Sequence, residues 1–186
     1  MRVYCISGKA GVGKDTFAGF VKDALEDRGE TVLVTHFAWL VKRICGDFFG
    51  WDGRKDEHGR TLLQYVGTDV VRQYYPNFWV DFIAQLLMCF QDEWDTVLIP
   101  DARFPNEIDR MRELLQPCGI SVTHIRVTRP GLQSSLTAEQ QSHPSETALD
   151  GFKVDIPIKN GGTINDFREL CQNFADDIAY GGLKVG

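Results

Sequence analysis

The chain has 186 residues, of which 43% are hydrophobic and 25% charged, and its formal net charge at pH 7 is −6. This composition is typical of one globular domain with a buried core. The acidic balance argues against direct binding to a nucleic-acid backbone, which needs a basic surface, but it allows a small anionic substrate in an arginine-lined cleft. Because we find no apolar run of membrane-spanning length and no signal-peptide pattern, we expect a cytoplasmic protein without a membrane partner.

Cysteine usage favours the same compartment. The five cysteines are scattered along the chain, and none forms a C-x-x-C pair. A disulfide framework or a zinc site is therefore not expected, and reduced thiols are typical of cytoplasmic proteins.

Apolar runs and turn residues predict strands that alternate with helices. The predicted strands cover residues 3–7, 31–35, 96–99, 121–127 and 154–158. The predicted helices cover residues 17–25, 38–49, 62–75, 78–90, 108–115 and 165–178. Strands that alternate with helices indicate a mostly parallel sheet with helices on both faces.

Two polar stretches interrupt this alternation. Residues 50–59 are rich in charged residues and glycine, and we predict a solvated loop there. Residues 129–151 form a longer stretch with two prolines and many Ser, Thr and Gln residues. Loops of that length in a compact domain are commonly functional, so we interpret this segment as a lid.

The segment after the first predicted strand carries the most specific signal in the chain. Its sequence, G-K-A-G-V-G-K-D-T over residues 8–16, has the spacing G-x-x-x-x-G-K and leads into an amphipathic helix. Glycines at these positions let successive backbone N–H groups curl around a polyphosphate, and the positive end of the helix faces the same anion. The predicted ATP-binding residues here are Gly8, Ala10, Gly11, Val12, Gly13, Lys14, Asp15 and Thr16.

Lys14 is expected to bridge the β- and γ-phosphates, but the residue after it departs from the usual pattern. Asp15 stands where Ser or Thr is standard, and the hydroxyl arrives one residue later at Thr16. One residue turns a helical side chain by about 100°, so Thr16 need not reach the usual magnesium position. We therefore expect Mg²⁺ to be held largely through water, with Asp15, Thr16 and Asp101 as candidate ligands.

Charged residues follow the third predicted strand at its carboxyl end. Asp101 follows this strand, and Arg103 and Glu107 come shortly after it. Ligands bind at this edge of open parallel sheets, and an aspartate delivered there opposite a phosphate-binding loop is typical of a magnesium shell. Together with the glycine-rich loop, these residues predict a P-loop NTPase-like, three-layer α/β/α fold with a mostly parallel five-stranded sheet.

We expect a single kinase domain with two additions to its core. The core takes in residues 1–37, 94–128 and 152–186. An acceptor-binding helical region covers about residues 38–93, and the lid covers about residues 129–151. We find no N-K-x-D-like element and no D-x-x-G motif, which disfavours a GTPase, and motor ATPases usually need a larger domain.

Several motifs resemble the phage-type deoxynucleoside monophosphate kinases of the nucleoside-monophosphate kinase superfamily. Besides the glycine-rich loop, they include G-T-D at 67–69, D-A-R-F-P-N-E at 101–107, H-P-S-E at 143–146 and K-N-G-G-T at 159–163. The resemblance runs nearly end to end, although only the first motif is strongly specific by itself. It implies transfer of the ATP γ-phosphate to a deoxynucleoside 5′-monophosphate with Mg²⁺, in the host cytoplasm if a phage encodes the chain.

Individual residues acquire roles from this chemistry and this resemblance. Lys14 would neutralise charge on the transferring phosphoryl group, and Arg103 and Arg129 would clamp it. The residues implied in ordering the lid and in packing on the adenine of ATP are His143 and Glu146, and Asn160 and Gly161, respectively.

The acceptor nucleotide is expected to meet cations and aromatic residues of the helical region. A planar guanidinium forks onto phosphate oxygens, but each helical arginine could equally be solvated or paired with a carboxylate. For Trp79, stacking on the base and packing in the core are equally compatible with the sequence. The acceptor-binding candidates are Lys42, Arg43, Asp69, Arg72, Trp79 and Glu107.

Some alternatives stay open at this point. The family favours dGMP, or a broad set that includes dTMP, but the residues do not reveal the base. A phosphomevalonate kinase-like enzyme and a non-catalytic, nucleotide-binding P-loop protein are the two other interpretations. The aromatic residues Phe48, Phe49 and Trp51 are a candidate homodimer patch.

Overall fold

Five parallel strands form the sheet in the computed structural model, which describes residues 1–54, 56–134 and 136–181. The strands are β1 (Arg2–Ser7), β2 (Val32–Val34), β3 (Thr96–Ala102), β4 (Ser121–Thr128) and β5 (Ile156–Lys159). Their order is β2-β3-β1-β4-β5, and each pair of neighbours is parallel. The predicted α/β fold is confirmed, with a sheet that is parallel throughout.

Helices connect the strands and cover both faces of the sheet. They are α1 (Lys14–Glu26), α2 (Trp39–Phe49), α3 (Glu57–Gln64), α4 (Phe78–Cys89), α5 (Pro105–Leu115), α6 (Ala138–Ser142), α7 (Pro144–Thr147) and α8 (Ile164–Ala179). Within the described ranges, every helix is too short or too polar to cross a lipid bilayer.

The alternation of side chains along β1 divides the core between the two faces of the sheet. Tyr4 and Ile6 belong to a cluster with α1 and α8, whereas Val3 and Cys5 belong to a cluster with α4 and α5. Because β1 is the central strand, the loop after it lies in the middle of the carboxyl edge. Ligands bind at this edge in open parallel sheets.

β3 continues past its predicted end, through a proline, to Ala102. The carbonyl of Leu98 accepts a hydrogen bond from the N–H of Thr35 at 3.0 Å, so the backbone of Leu98 points toward β2. The backbone nitrogen of Pro100, two residues later, points toward the same edge of β3. β2 has ended at Val34 by that point. The proline therefore sits where no ladder donor is needed, and the longer strand carries Asp101 within it.

The segment between α2 and α4 differs from its prediction. Residues 57–59 are not loop, because α3 begins at Glu57, where the Asp56 carboxylate accepts a hydrogen bond from the N–H of Gly59 at 2.8 Å. Lys55, in the same predicted loop, lies outside the described residues. The helix predicted over residues 62–75 changes after α3 into a π-helical segment, Tyr65–Arg72. Such segments are frequent at functional sites, and this one ends at Arg72.

Trp79 is a core residue of the helical region, so its interpretation as a base-stacking residue is wrong. Its surface is 3% exposed, and it packs with Val41 and Val66. The indole Nε1 donates a hydrogen bond to the carbonyl of Gly67 at 2.9 Å. The contact joins α4 to the π-helical segment, and it leaves the ring no free face for a nucleotide base.

The three aromatic residues of the candidate dimer patch lie in different surroundings. Phe48 and Phe49 are 79% and 55% exposed. Trp51 packs against the core cluster of the helical region, and its Nε1 donates a hydrogen bond to the carbonyl of Arg54 at 2.8 Å. Only the two phenylalanines therefore present an open apolar surface.

We expect Trp79→Phe to lower the free energy of unfolding by about 1–3 kcal/mol, because the variant leaves the buried carbonyl of Gly67 without its indole donor. Trp39→Phe is the control, since Trp39 is 51% exposed and the substitution keeps an aromatic ring. The control should change the unfolding free energy by less than about 0.5 kcal/mol. Urea denaturation measures both, and equal stability of Trp79→Phe and wild type would contradict the assignment.

Candidate active site

The glycine-rich loop between β1 and α1 packs tightly against residues at the ends of β4 and β5. Gly8 has φ 146°, and a Cβ there would lie 2.3 Å from the carbonyl oxygen of Val127. Gly13 has φ 99°, and a Cβ there would lie 2.9 Å from the side-chain nitrogen of Asn160. Larger residues at either position would push the loop off the sheet. Glycine is therefore required by packing as well as by conformation.

Asn160 holds the loop from behind. Its Nδ2 donates a hydrogen bond to the carbonyl of Val12 at 3.0 Å, and its own N–H donates to the carbonyl of Thr128 at 2.7 Å. Asn160 is 7% exposed, whereas Gly161 next to it is exposed. The side chain of Asn160 thus stabilises the conformation of the loop. Of these two neighbouring residues, only Gly161 offers an open surface to a ligand.

Lys14 is a buried cation at the start of α1. Its surface is 8% exposed, and Nζ donates hydrogen bonds to the carbonyls of Gly8 at 2.7 Å and Lys9 at 3.0 Å. Burial, reinforced by the charge of Arg103, lowers the pKa of Lys14 to about 8. The carboxylates of Glu146, Asp15 and Asp101 oppose this shift, which places them around the same ammonium group.

Asp101 connects the carboxyl end of β3 to the start of the helical region. Its two carboxylate oxygens accept hydrogen bonds from the backbone N–H groups of Phe37 at 2.9 Å and Ala38 at 3.0 Å. These residues lie just before α2. Each carboxylate oxygen keeps a further lone pair, so the clamp leaves Asp101 able to accept from a water molecule.

The two residues after Lys14 lie on the open side of α1. The side chain of Asp15 is 79% exposed, and it lies 3.2 Å from Nε2 of His36, just after β2. Thr16 is exposed on the first turn. No group of three or more metal-ligating side chains occurs among the described residues. This arrangement fits Mg²⁺, which commonly uses one or two carboxylates and takes its other ligands from phosphate and water.

Glu107 organises the chain directly after β3. Its Oε2 accepts hydrogen bonds from the N–H groups of Arg103 at 2.7 Å and Phe104 at 3.0 Å, and its Oε1 pairs with Arg72. The Arg72 guanidinium also lies 4.5 Å from the ring centroid of Phe104. Burial raises the pKa of Glu107, against the opposing effect of Arg72. The structure thus brings two acceptor-binding candidates together as a buried ion pair.

The lid reaches the P-loop through α7. One carboxylate oxygen of Glu146 accepts a hydrogen bond from the N–H of Ala10 at 3.0 Å, and the other pairs with Arg103. Lys9 donates from Nζ to the backbone carbonyl of Glu146 at 2.6 Å and to the carboxylate of Asp150 at 2.7 Å. The segment predicted to be a lid therefore packs against the glycine-rich loop in this structure.

His143 ties the other side of the lid to the helical region. The amide Nε2 of Gln64, the last residue of α3, lies 2.5 Å from Nε2 of His143. Sequence reasoning missed the contacts that Lys9, Asp150 and Gln64 make between the predicted lid and its neighbours. Lys9 was visible inside the P-loop motif, but the sequence contains no signal that would have singled out the other two.

A buried histidine stands behind the P-loop. His124 on β4 is 0% exposed, and its Nε2 lies 2.7 Å from Oγ of Ser7, the residue before the loop. Its Nδ1 lies 2.7 Å from the carbonyl of Lys153, which can only accept, so Nδ1 carries the proton. Desolvation lowers the pKa of His124 and keeps the imidazole neutral. The ring holds the end of β1 in place.

The remaining candidates lie apart from these contacts. Arg43 pairs with Asp47 on α2 at 2.7 Å, and its side chain is 67% exposed. Asp69 and Arg129 are exposed, and Lys42 is half-buried. Over the described ranges, none of the three cations among these four residues pairs with Glu146, and Asp69 pairs with neither Lys14 nor Arg103.

Comparison with known proteins places the chain among nucleotide kinases by sequence. The family model described as deoxynucleotide monophosphate kinase matches residues 53–170. A protein of Acanthamoeba polyphaga mimivirus with the provisional name deoxynucleotide monophosphate kinase is 28% identical over 94% of this chain and 96% of its own length. The deoxynucleoside-5′-monophosphate kinase of Escherichia phage T5 is 28% identical over 63% of this chain and 45% of its own length.

Solved structures agree on the fold. The APS kinase of Mycobacterium tuberculosis, in complex with AMPPNP and APS, superimposes with a TM-score of 0.56. The alignment covers 96% of this chain and 97% of that chain at 14% sequence identity. The similarity concerns the arrangement of strands and helices, which is that of a P-loop kinase.

We expect the affinity for ADP to weaken about tenfold between pH 7 and pH 9, because Lys14 loses its charge as the pH rises through its pKa of about 8. Below that pKa the ammonium is charged and attracts phosphate; above it the amine is neutral. Calorimetric titration across this range measures the effect. Lys14→Arg should flatten the profile because a guanidinium stays charged. A wild-type affinity that stays constant over this range would contradict the assignment.

Proposed function

Since the chain belongs to the deoxynucleotide monophosphate kinase family, we propose that it transfers the γ-phosphoryl group of ATP to a deoxynucleoside 5′-monophosphate. The observation that carries the proposal is the convergence of two cations on the glycine-rich loop. Lys14 comes from α1 and Arg103 from the end of β3, and the charge of Arg103 helps to lower the pKa of Lys14. A polyphosphate in the loop would supply the negative charge that two adjacent, partly desolvated cations require.

In this reaction the protein positions the two nucleotides and forms no covalent bond with either of them. A bond forms between the γ-phosphorus and an oxygen of the acceptor phosphate, and the bond to the oxygen that bridges to the β-phosphate breaks. ADP and the deoxynucleoside diphosphate are the products. The acceptor phosphate is largely ionised at neutral pH, so no general base is required. We assign charge stabilisation to Lys14 and Arg103, and to Arg129 as a third clamp from the lid.

Mg²⁺ would neutralise charge on the β- and γ-phosphates. Asp15, Thr16 and Asp101 are its proposed partners, chiefly through water. Asp15 is exposed on the side of α1 that faces solvent, and the oxygens of Asp101 keep free lone pairs beside their backbone hydrogen bonds. For the adenine of ATP, the exposed backbone at Gly161 is the proposed contact, with Asn160 as its support.

The acceptor is assigned to the helical region, about residues 38–93. A groove of about 440 Å³ there is lined by Tyr74, Tyr75 and Phe78 among others. Its rim is tied to the segment after β3, because Nδ2 of Asn106 donates hydrogen bonds to the carbonyl of Pro76 at 3.0 Å and to Oδ1 of Asn77 at 2.9 Å. Aromatic walls fit a nucleobase and a deoxyribose that carries no 2′-hydroxyl.

Within the same region we assign the acceptor phosphate to Arg72, with Lys42 and Arg43 as further cations and Asp69 at the sugar. Arg72 is held by Glu107, so its guanidinium is oriented before a ligand arrives. We propose dGMP as the preferred acceptor, or a broad set that includes dTMP, on the resemblance to the family.

A coupled ADP-release assay across the four DNA monophosphates tests the proposal, with the ribonucleotides and 5-phosphomevalonate as comparison substrates. We expect turnover of at least one deoxynucleotide, with weaker turnover of its ribose counterpart. Turnover of 5-phosphomevalonate alone would assign the fold to a different kinase, and turnover of no nucleotide would overturn the proposal.

Lys14→Ala should lower kcat by at least about a hundredfold while the far-ultraviolet circular dichroism spectrum stays unchanged. The reason is the loss of the cation that follows charge onto the transferring group. The variant also controls for contaminating host kinases, because their activity would survive the substitution. Near-normal turnover would contradict the role of Lys14.

Arg72→Ala should raise KM for the acceptor about tenfold or more and leave KM for ATP within about twofold, because a charge-assisted hydrogen bond to the acceptor phosphate is lost. Arg60→Ala on α3 is the matched control, since Arg60 is an exposed arginine of the same region. Equal effects on both Michaelis constants would indicate a structural role for Arg72, and thermal unfolding of the variant identifies that outcome.

A further inference from the structure

Glu146 on the lid occupies a position that the P-loop offers to an anion. Its two oxygens take a backbone N–H of the loop, from Ala10, and the guanidinium of Arg103. Only 7% of the Glu146 side chain is exposed. Loop N–H groups and an adjacent cation are the partners that a phosphate oxygen takes in loops of this kind, so a carboxylate and a phosphate compete for the same donors.

Further contacts hold the lid segment in this position. Lys9 of the P-loop binds the backbone carbonyl of Glu146 at 2.6 Å and the carboxylate of Asp150 at 2.7 Å. Arg126 on β4 pairs with the second oxygen of Asp150 at 2.7 Å. Both α7 and the turn after it are therefore anchored to the mouth of the loop by charge-assisted bonds.

The charge of Glu146 also compensates the buried ammonium of Lys14, whose own hydrogen bonds go to loop carbonyls. Without a nucleotide and without Glu146, Lys14 and Arg103 would lie side by side with no anion from the lid to balance their charges. The Glu146 carboxylate thus balances the same two positive charges that a bound polyphosphate would balance.

We propose that Glu146 is an internal competitor of the nucleotide: its carboxylate holds the lid on the P-loop and keeps the Ala10 N–H and Arg103 occupied until a polyphosphate displaces it. The inference rests on the proposed function, because a nucleoside triphosphate is the displacing ligand. Displacement frees Arg103 at the moment when the phosphates arrive. Nucleotide binding and lid release are then one exchange of anions.

Competition from Glu146 weakens the apparent affinity of the protein for the nucleotide. Where the binding-competent state is only a fraction of the molecules, the apparent dissociation constant rises by the inverse of that fraction. Removing the charge of Glu146 enlarges the open fraction. A residue that merely supported the fold would act in the opposite direction, because its loss would weaken both the protein and its ligand site.

The experiment compares Glu146→Gln with wild type in calorimetric titration of AMPPNP with Mg²⁺, together with thermal unfolding of the nucleotide-free proteins. We expect AMPPNP to bind the variant about tenfold more tightly, while its nucleotide-free form unfolds at a lower temperature. Glu139→Gln on α6 is the matched control, because it removes the same charge from an exposed position of the same lid. Its affinity should stay within about twofold of wild type.

Weaker or unchanged binding of AMPPNP to Glu146→Gln overturns the competitor role and leaves the proposed kinase activity standing. If Glu146→Gln does not fold, Glu146→Asp carries the test, because its shorter side chain draws the carboxylate away from Ala10; tighter binding supports the role and unchanged binding overturns it. If wild type and variant both fail to bind AMPPNP, the proposed function fails, and the inference fails with it.

Discussion

A buried lysine at the carboxyl edge of a parallel sheet needs oxygen atoms around it, and the architecture of the site follows from that requirement. Lys14 satisfies its hydrogen bonds on the carbonyls of the loop that precedes it. Its charge is balanced by carboxylates from the lid, from α1 and from β3. The helix, the central strand and the lid are therefore coupled through one ammonium group, and its lowered pKa shows how little solvent is left to share the charge.

Two carboxylates, the partly exposed Asp101 and the buried Glu107, attach the helical region to the sheet. Asp101 accepts from the backbone just before α2, and Glu107 pairs with Arg72 at the end of the π-helical segment. Asp101 lies near the carboxyl end of β3, and Glu107 lies in the first turn of α5, the helix that follows this strand. Movement of the helical region relative to the P-loop must therefore act through these contacts, and the contact between His143 and Gln64 adds a third connection.

The order of strands and helices, the phosphate-binding loop and the charged strand end were all predictable, because each depends on residues that are close in sequence. Outside the segment between α2 and α4 and the predicted lid, periodicity identified the elements to within a few residues. The spacing of glycines and lysine identified the loop. Where distant neighbours decide the outcome, the prediction was wrong, as at the end of β3, or left two interpretations open, as for Trp79. Pro100 stays in β3 because β2 has already ended, and Trp79 is a core residue because a carbonyl of the π-helical segment accepts from its ring.

The sequence by itself determined that this small acidic protein has an α/β fold with a phosphate-binding loop, since a backbone that wraps an anion needs glycine and lysine at set spacings. The resemblance of its motifs to a kinase family indicated the reaction. Which charges meet was decided only by the tertiary structure. Glu146 lies 136 residues after Ala10, yet the two form a hydrogen bond at 3.0 Å. Electrostatic compensation depends on distance in space and on burial, and neither is encoded in local spacing. The net charge of −6 therefore describes the whole chain, whereas the fold decides that Lys14 and Arg103 lie beside the same loop.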